Sequence, residues 1–416
     1  MASTDALPKG AVPAAAYVVE RASARNVRID VDLAAVRHNL TEARRLSGGG
    51  RLFAVVKADA YGHGALAVAR ALSRTDLPAA ARADGFAVVT SGEAMALRDS
   101  GVRQPILVLQ GPCDPDDVER FVKADLWPVI HDLAQHRWYR VHARRGELRA
   151  WLKVDTGMGR LGVRPDEVAA LLRAGDGIRW HGVLSHLACA DEPDNAHTHG
   201  QIRRFDELDV PHGLERSLAN SAAVIGWPST RHDWGRPGLM LYGCDSRVPE
   251  AMDGRVDETG GEPGDESHIG ARRSTSEAPP SLQPAMRVTS TLLSVKTMEA
   301  GAGVGYAQTW HCPERMPIGL ARVGYADGLP RVLDERATMS VHGVDCPVVG
   351  RVSMDSVALD LRGAAQAVPG DPVELWGKSR PVDALAASAG TIAYEMLTSI
   401  RGERRHADGV LPSQLC

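Results

Sequence analysis

The chain has 416 residues, 24% of them charged, with a formal net charge of −4. So even a charge balance excludes a nucleic-acid platform or a polybasic membrane patch, and no run reaches the ~18 apolar residues needed to cross a bilayer. The length suffices for two domains with a sizeable core. The six cysteines (Cys113, Cys189, Cys244, Cys312, Cys346, Cys416) form no C-x-x-C pair. That pattern argues against a zinc site or disulfide scaffold and fits a reducing, cytoplasmic setting. No basic stretch followed by an apolar core opens the chain, so no signal peptide is expected.

Residues 1–25 are rich in Ala, Pro and Ser and read as a flexible extension. From 26 onward, short apolar strands alternate with amphipathic helices. A strand at 27–31 and a helix at 33–40 come first. Further strands are predicted near 53–57, 85–89, 105–110, 127–131, 149–154, 180–185, 215–219 and 239–242, with helices at 91–100, 115–124, 166–173 and 199–208 between them. About eight βα units in a stretch ending at 245 match the size of a (β/α)8 barrel of the TIM type. A doubly wound open sheet is the alternative that strand counting leaves open. Residues 246–283 then change character: Gly260-Gly261, several acids, few apolar side chains and Pro279-Pro280 predict a flexible insert. From 284 to 416 the pattern turns to strands, at 287–295, 318–323, 338–341, 348–361 and 373–376, closing with a helix at 382–389 and the segment 391–400. The expectation is an α/β chain: a barrel followed by a mostly-β domain.

The stretch Leu52 to Gly64 organises the chemistry. A β-branched, apolar run ends on Lys57, followed by a glycine-containing turn with Tyr61. Burial at a strand end lowers a lysine's pKa, and a neutral amine is what Schiff-base chemistry with an aldehyde requires. An isolated strand-end lysine more often snorkels to the surface, so the remaining clusters matter. Functional groups of a barrel gather on the loops after its strands. There lie Lys153 and Arg160, in a loop with three glycines, and His186. Asn220-Ser221 stands at a helix start that suits either a cap or an anion. Arg236 and Gly238-Leu239 follow. In the β-domain, Tyr306, the Gly324–Gly328 loop, Met354-Asp355 and Tyr394 interrupt apolar segments. Tyrosines, lysines, arginines and a histidine at loops suit a phosphorylated aldehyde.

Together, A-V-V-K-A-D-A-Y-G-H-G at 54–64, K-V-D-T-G-M-G-R-L-G at 153–162, A-N-S-A-A at 219–223, R-P-G-L-M-L-Y-G at 236–243, G-Y-A-D-G at 324–328 and G-R-V-S-M-D at 350–355 resemble the motifs of the alanine racemase family, in order. The resemblance implies a pyridoxal 5'-phosphate barrel followed by a β-domain, working as a homodimer with shared sites. It implies that Lys57 carries the cofactor and is the base on one face of the substrate α-carbon. Tyr306 of a second copy would be the base on the other. Tyr61, Ser221 (with Asn220 beside it), the backbone of Gly238 and Leu239, and Tyr394 would hold the phosphate. Arg236 would face the pyridine nitrogen, with His186 beside it. Arg160 and the Met354 backbone, with Lys153 and Asp355 nearby, would position the substrate carboxylate; Lys153 matches a position carbamylated in some members. Asp191, Arg331, Arg351 and Ile392 would line the way in.

The implied activity is interconversion of L- and D-alanine, supplying D-alanine for peptidoglycan precursors. A racemase of broader scope (serine, for example) is the alternative. A decarboxylase of the same fold is less favoured, since such enzymes carry a cysteine motif where Ser353-Met354-Asp355 stands here. A non-catalytic cofactor-binding barrel would lack the domain that carries Tyr306. Ser353 in place of a common cysteine and the ending Arg401-Gly402-Glu403-Arg404 depart from the family pattern.

Overall fold

The computed structural model describes residues 27–142, 148–174, 178–245, 247 and 279–409. The expected extension at 1–25 and most of the expected insert at 246–283 lie outside them. The chain folds as two compact units. One holds Val36–Ala58 and the described residues from Val68 to Gln283; the other holds the described residues up to Ala35, then Asp59–Ala67, then those from Pro284 onward.

Strand β1 (Arg28–Asp32) leads into helix α1 (Leu33–Leu46). The barrel then uses β2 (Arg51–Val55), β3 (Gly85–Val88), β4 (Ile106–Val108), β5 (Trp127–Ile130), β6 (Leu148–Lys153), β7 (Ile178–Leu184), β8 (Glu215–Ser217) and β9 (Trp234–Gly235). Every neighbouring pair is parallel and β9 closes onto β2. The strand count therefore resolves to the closed (β/α)8 form, not the open sheet. Its strands are almost wholly buried, as expected when helices cover a parallel sheet. Inside, Phe53 stacks on Trp234 at 3.9 Å and meets Trp127 and Trp151 edge-on, at 6.2 and 5.9 Å. Such aromatic pairs contribute about 0.5–1.5 kcal/mol each beyond their burial. Gly182 makes room for them: a Cβ there would stand 2.7 Å from the Trp151 ring.

Two expectations for the first half of the chain need correction. The strand foreseen at 239–242 is a buried 3-10 turn, Leu239–Tyr242, and the eighth strand is the two-residue Trp234–Gly235. An apolar run reads alike in both conformations; here the Tyr242 hydroxyl donates to Val55 O at 2.8 Å, fixing the turn on the first barrel strand. Strand β1, expected at the head of the barrel domain, belongs to the second unit's sheet.

That unit adds β10 (Met286–Met298), β11 (Gly303–Val304), β12 (Trp310–His311), β13 (Met316–Ala321), β14 (Thr338–Val341), β15 (Val344–Val349), β16 (Val357–Asp360), β17 (Pro372–Trp376) and β18 (Glu403–Ala407); β11 and β12 pair only with each other, as a separate hairpin. β1 lies between β10, antiparallel, and β18, parallel. Strand β10 pairs along its length with β17 and then with β13, so β10, β13, β16, β15, β14 and β17 form a closed antiparallel circuit. The strand foreseen over 348–361 is broken into β15 and β16 by the loop carrying Met354. A small core of Val304, Cys312, Met316, Ile318, Val349 and Ala358 packs under the β11–β12 hairpin. Helices α2 (Val382–Ser388) and α3 (Ala393–Ser399) close this unit. Among the described residues no helix is long and apolar enough to cross a membrane.

Candidate active site

In the barrel unit, the predicted residues converge on the loops after the strands, at the C-terminal rim. Lys57 follows β2. Burial, and then the nearby Arg160, hold its amine below the ordinary lysine range, while Glu93 works in the opposite direction. Lys153 ends β6 and is pushed down to about 8 by burial, then by Arg236 and Arg160. Arg236 is fixed by three groups: it donates to Ser217 Oγ at 2.6 Å, Ser185 O at 2.5 Å and Leu218 O at 3.2 Å. Its burial lowers even the guanidinium, to about 10. His186 Nδ1 lies 3.5 Å from the same guanidinium. Burial, then Arg236, Lys153, Arg160 and Lys57, drive the imidazole well below its usual range, so it is neutral at physiological pH. The site is thus a cluster of basic side chains in which two amines and one imidazole give up protons more easily than usual.

Asn220, not Ser221, caps the helix Ser221–Gly226: its Oδ1 accepts from Ala223 N at 3.0 Å. Ser221 Oγ instead accepts from Gly238 N at 2.8 Å and Met240 N at 3.3 Å. With both lone pairs taken, the hydroxyl proton is its remaining hydrogen-bonding capacity. This brings Asn220, Ser221, Gly238 and Leu239 into one patch. Arg160 is exposed on its glycine loop, which Asp155 shapes by accepting from the N–H groups of Gly157, Met158 and Gly159.

One contributor escaped the sequence reading. Glu93 Oε1 accepts from Ala58 N at 2.8 Å, next to Lys57, while Oε2 accepts from Val89 N and Thr90 N. The signal was available: Thr90-Ser91-Gly92-Glu93 is a capping box, and Thr90 Oγ1 accepts from Glu93 N in return. The backbone beyond Lys57 is unusual. Ala58, Asp59, Ala60 and Tyr61 all have φ between 51° and 54°, a left-handed helical turn built without glycine. Each such residue costs about 1–2 kcal/mol.

The second unit holds the rest. Tyr61 is buried, and its ring lies 5.6 Å from that of Tyr394. Burial and this neighbour raise the Tyr61 hydroxyl's pKa above the usual phenol range, so it stays protonated as a donor. Tyr306 stands 65% exposed on a 3-10 turn following the β11 strand, and Met354 (53%) and Ile392 (62%) are also exposed. Gly324-Tyr325-Ala326 is stitched to the Met354 loop, Tyr325 N donating to Ser353 O and Ala326 N to Met354 O. Gly324 is required there, since a Cβ would sit 2.2 Å from Met354 O. Asp355, Arg331 and Arg351 are exposed. Among the described residues no group of three or more His, Cys, Asp or Glu could hold a metal ion.

The family description "Alanine racemase, N-terminal domain" matches residues 31–246, and "Alanine racemase, C-terminal domain" matches 285–407. An alanine racemase of Halorhodospira halophila is 40% identical over 92% of this chain and 99% of its own length. Among solved structures, the biosynthetic alanine racemase of Pseudomonas aeruginosa superposes with a TM-score of 0.78 at 36% identity, covering 92% of this chain and 99% of that one. The alanine racemase of Bartonella henselae, with covalently bound pyridoxal phosphate, gives a TM-score of 0.76 at 26% identity, over 92% and 99% of the two chains.

Proposed function

The chain belongs to the alanine racemase family, and we propose that it interconverts L- and D-alanine with pyridoxal 5'-phosphate as cofactor, as a cytoplasmic homodimer supplying D-alanine for peptidoglycan precursors. The observation that carries this is the rim of the barrel: the Lys57 amine, held below its ordinary range, stands after one strand and a buried, triply anchored arginine after another, with His186 feeling the charge of both. The donor set fits the cofactor. Lys57 offers an amine for its aldehyde. Ser221 and the Leu239 N–H offer neutral donors for its phosphate, the Gly238 N–H being engaged by Ser221 Oγ, and the motif resemblance assigns the hydroxyls of Tyr61 and Tyr394 to the same group. Arg236 offers a permanent donor for its pyridine nitrogen. When bound, pyridoxal phosphate withdraws electrons from the substrate α-carbon and so acidifies its proton.

The remaining work falls to side chains of this chain. A neutral Lys57 amine can take up the α-proton on one face or return it. Tyr306, exposed on its hairpin, is assigned to the opposite face of a site completed by a second copy; two bases on opposite faces are what inversion needs. Arg160 supplies a planar fork for the substrate carboxylate, and the motif resemblance assigns the Met354 backbone and Asp355 to the same group. Arg236 cannot readily surrender its proton, so the pyridine nitrogen remains an acceptor. That limits side reactions that need a stronger electron sink.

The test is direct. Purified protein supplied with pyridoxal phosphate and L-alanine, with L-serine and L-lysine as parallel arms, should convert alanine to the racemic mixture fastest. Lys57→Ala should lose both conversion and the absorbance band of the bound aldehyde. Retention of that band would remove the assignment of Lys57, and faster turnover of serine would favour a racemase of broader scope.

A further inference from the structure

Behind His186, inside the barrel unit, lies a buried ladder of uncharged polar side chains to which no role has yet been given. Gln201 projects from the helix Ala196–Asp206 and is fully buried. Its Nε2 donates to His186 O at 3.0 Å and to Thr156 Oγ1 at 3.4 Å, and its Oε1 accepts from Ala188 N at 2.9 Å. Thr156 Oγ1 and Ser185 Oγ are 2.8 Å apart, and Ser185 Oγ donates to Val154 O at 2.7 Å. Since a serine has one hydroxyl proton, the direction of the chain follows: Gln201 amide to Thr156, Thr156 to Ser185, Ser185 to Val154. Both the amide orientation of Gln201 and its two loop contacts agree with that order.

Two consequences meet at the site. Gln201 bridges the carbonyl of His186 and the N–H of Ala188, so it holds the loop that carries the imidazole from both sides. At the other end of the ladder, Ser185 O accepts from Arg236, and Ser217 Oγ, which accepts from Arg236 too, donates to Trp234 O at 2.8 Å. We propose that Gln201 is a positioning residue for the reaction: through His186 and Ser185 it fixes where Arg236 and the imidazole point. This rests on the racemase reading above. The titratable and charged groups that face the ladder are the neutral imidazole of His186, Arg204, whose Nε donates to Thr156 O at 2.6 Å, and Lys153 and Arg236 beyond the imidazole.

A glutamate makes the test specific. Its neutral carboxyl carries one donor and one acceptor and can reproduce the bridge; its carboxylate carries acceptors only and opposes the His186 carbonyl. Gln201→Glu is therefore expected to racemise near the wild-type rate at low pH and to lose activity as pH rises, through a transition absent from the wild-type kcat profile. Gln201→Met should lower kcat about tenfold or more with KM little changed, because small misplacements of oriented groups act on the chemical step. Thr156→Val, further along the ladder, should give a smaller fall in the same direction and serves should Gln201→Met not fold. Amide exchange at 186–188 in the cofactor-free protein reads the clamp without any turnover and should quicken in Gln201→Met. Unchanged exchange in a folded variant, or a Gln201→Glu profile that parallels the wild type at every pH, would overturn the proposal. A wild type that does not racemise counts against the parent reading alone, and the exchange arm still decides on the clamp.

Discussion

At the scale of single residues, the site works by making ordinary bases less basic. Lys153 shows this with a sign that can be measured. Its amine titrates near 8 in the fold against an ordinary 10.5. Between those values the unfolded chain binds more protons than the folded one, so stability should rise with pH across about 8 to 10.5. Below that window the buried ammonium is a burden on the order of 3 kcal/mol. Lys153→Met should therefore melt higher than wild type at neutral pH, with the difference shrinking to nothing as pH climbs past 10.5. Equal melting temperatures at pH 7 would show that Lys153 is not held away from its charged form. Lys57 was legible in the sequence because an amine ending an apolar strand is anomalous on its face. The anchors of Arg236 were not, because Ser185 and Ser217 are commonplace residues whose importance comes only from strands that neighbour one another in the closed barrel.

At the scale of elements, the feature least visible in the sequence is the left-handed turn from Ala58 to Tyr61. Nothing in Lys57-Ala58-Asp59-Ala60-Tyr61 signals it, since alanine is a good right-handed helix former. Gly62 continues the turn with φ of 76°, and a Cβ there would meet Leu397 O at 2.1 Å. Gly62→Ala should destabilise by about 3 kcal/mol or more, through both the clash and the backbone. Ala58→Gly, at an exposed position with φ of 51°, should be neutral or stabilise by up to about 1 kcal/mol. Chemical denaturation checks both, and a clear loss of stability in Ala58→Gly would mean the turn is not strained. The brief eighth strand was missed for a related reason. Two residues, Trp234-Gly235, carry no periodicity, whereas the apolar Leu239–Tyr242 beside them imitates a strand.

At the scale of the whole molecule, the alternation of strands and helices announced the barrel, and the shift after residue 284 announced a second, β-rich unit. The allocation of β1 was not legible. Its buried pattern is compatible with either sheet, and only the register against Met286–Thr289 on one side and Glu403–Ala407 on the other decides. Tyr306 belongs to this scale as well. It is exposed in a single chain, as a residue intended for a neighbour's site would be, and the proposed homodimer is where the two-base proposal stands or falls. Mixing inactive Lys57→Ala and Tyr306→Phe variants, after dissociation and reassembly, tests this most directly. If each site takes its lysine from one copy and its tyrosine from the other, every mixed dimer holds one intact site and one doubly defective site, and equal mixing should restore about a quarter of wild-type racemisation. No recovery at any mixing ratio, from variants shown to exchange subunits, would contradict it.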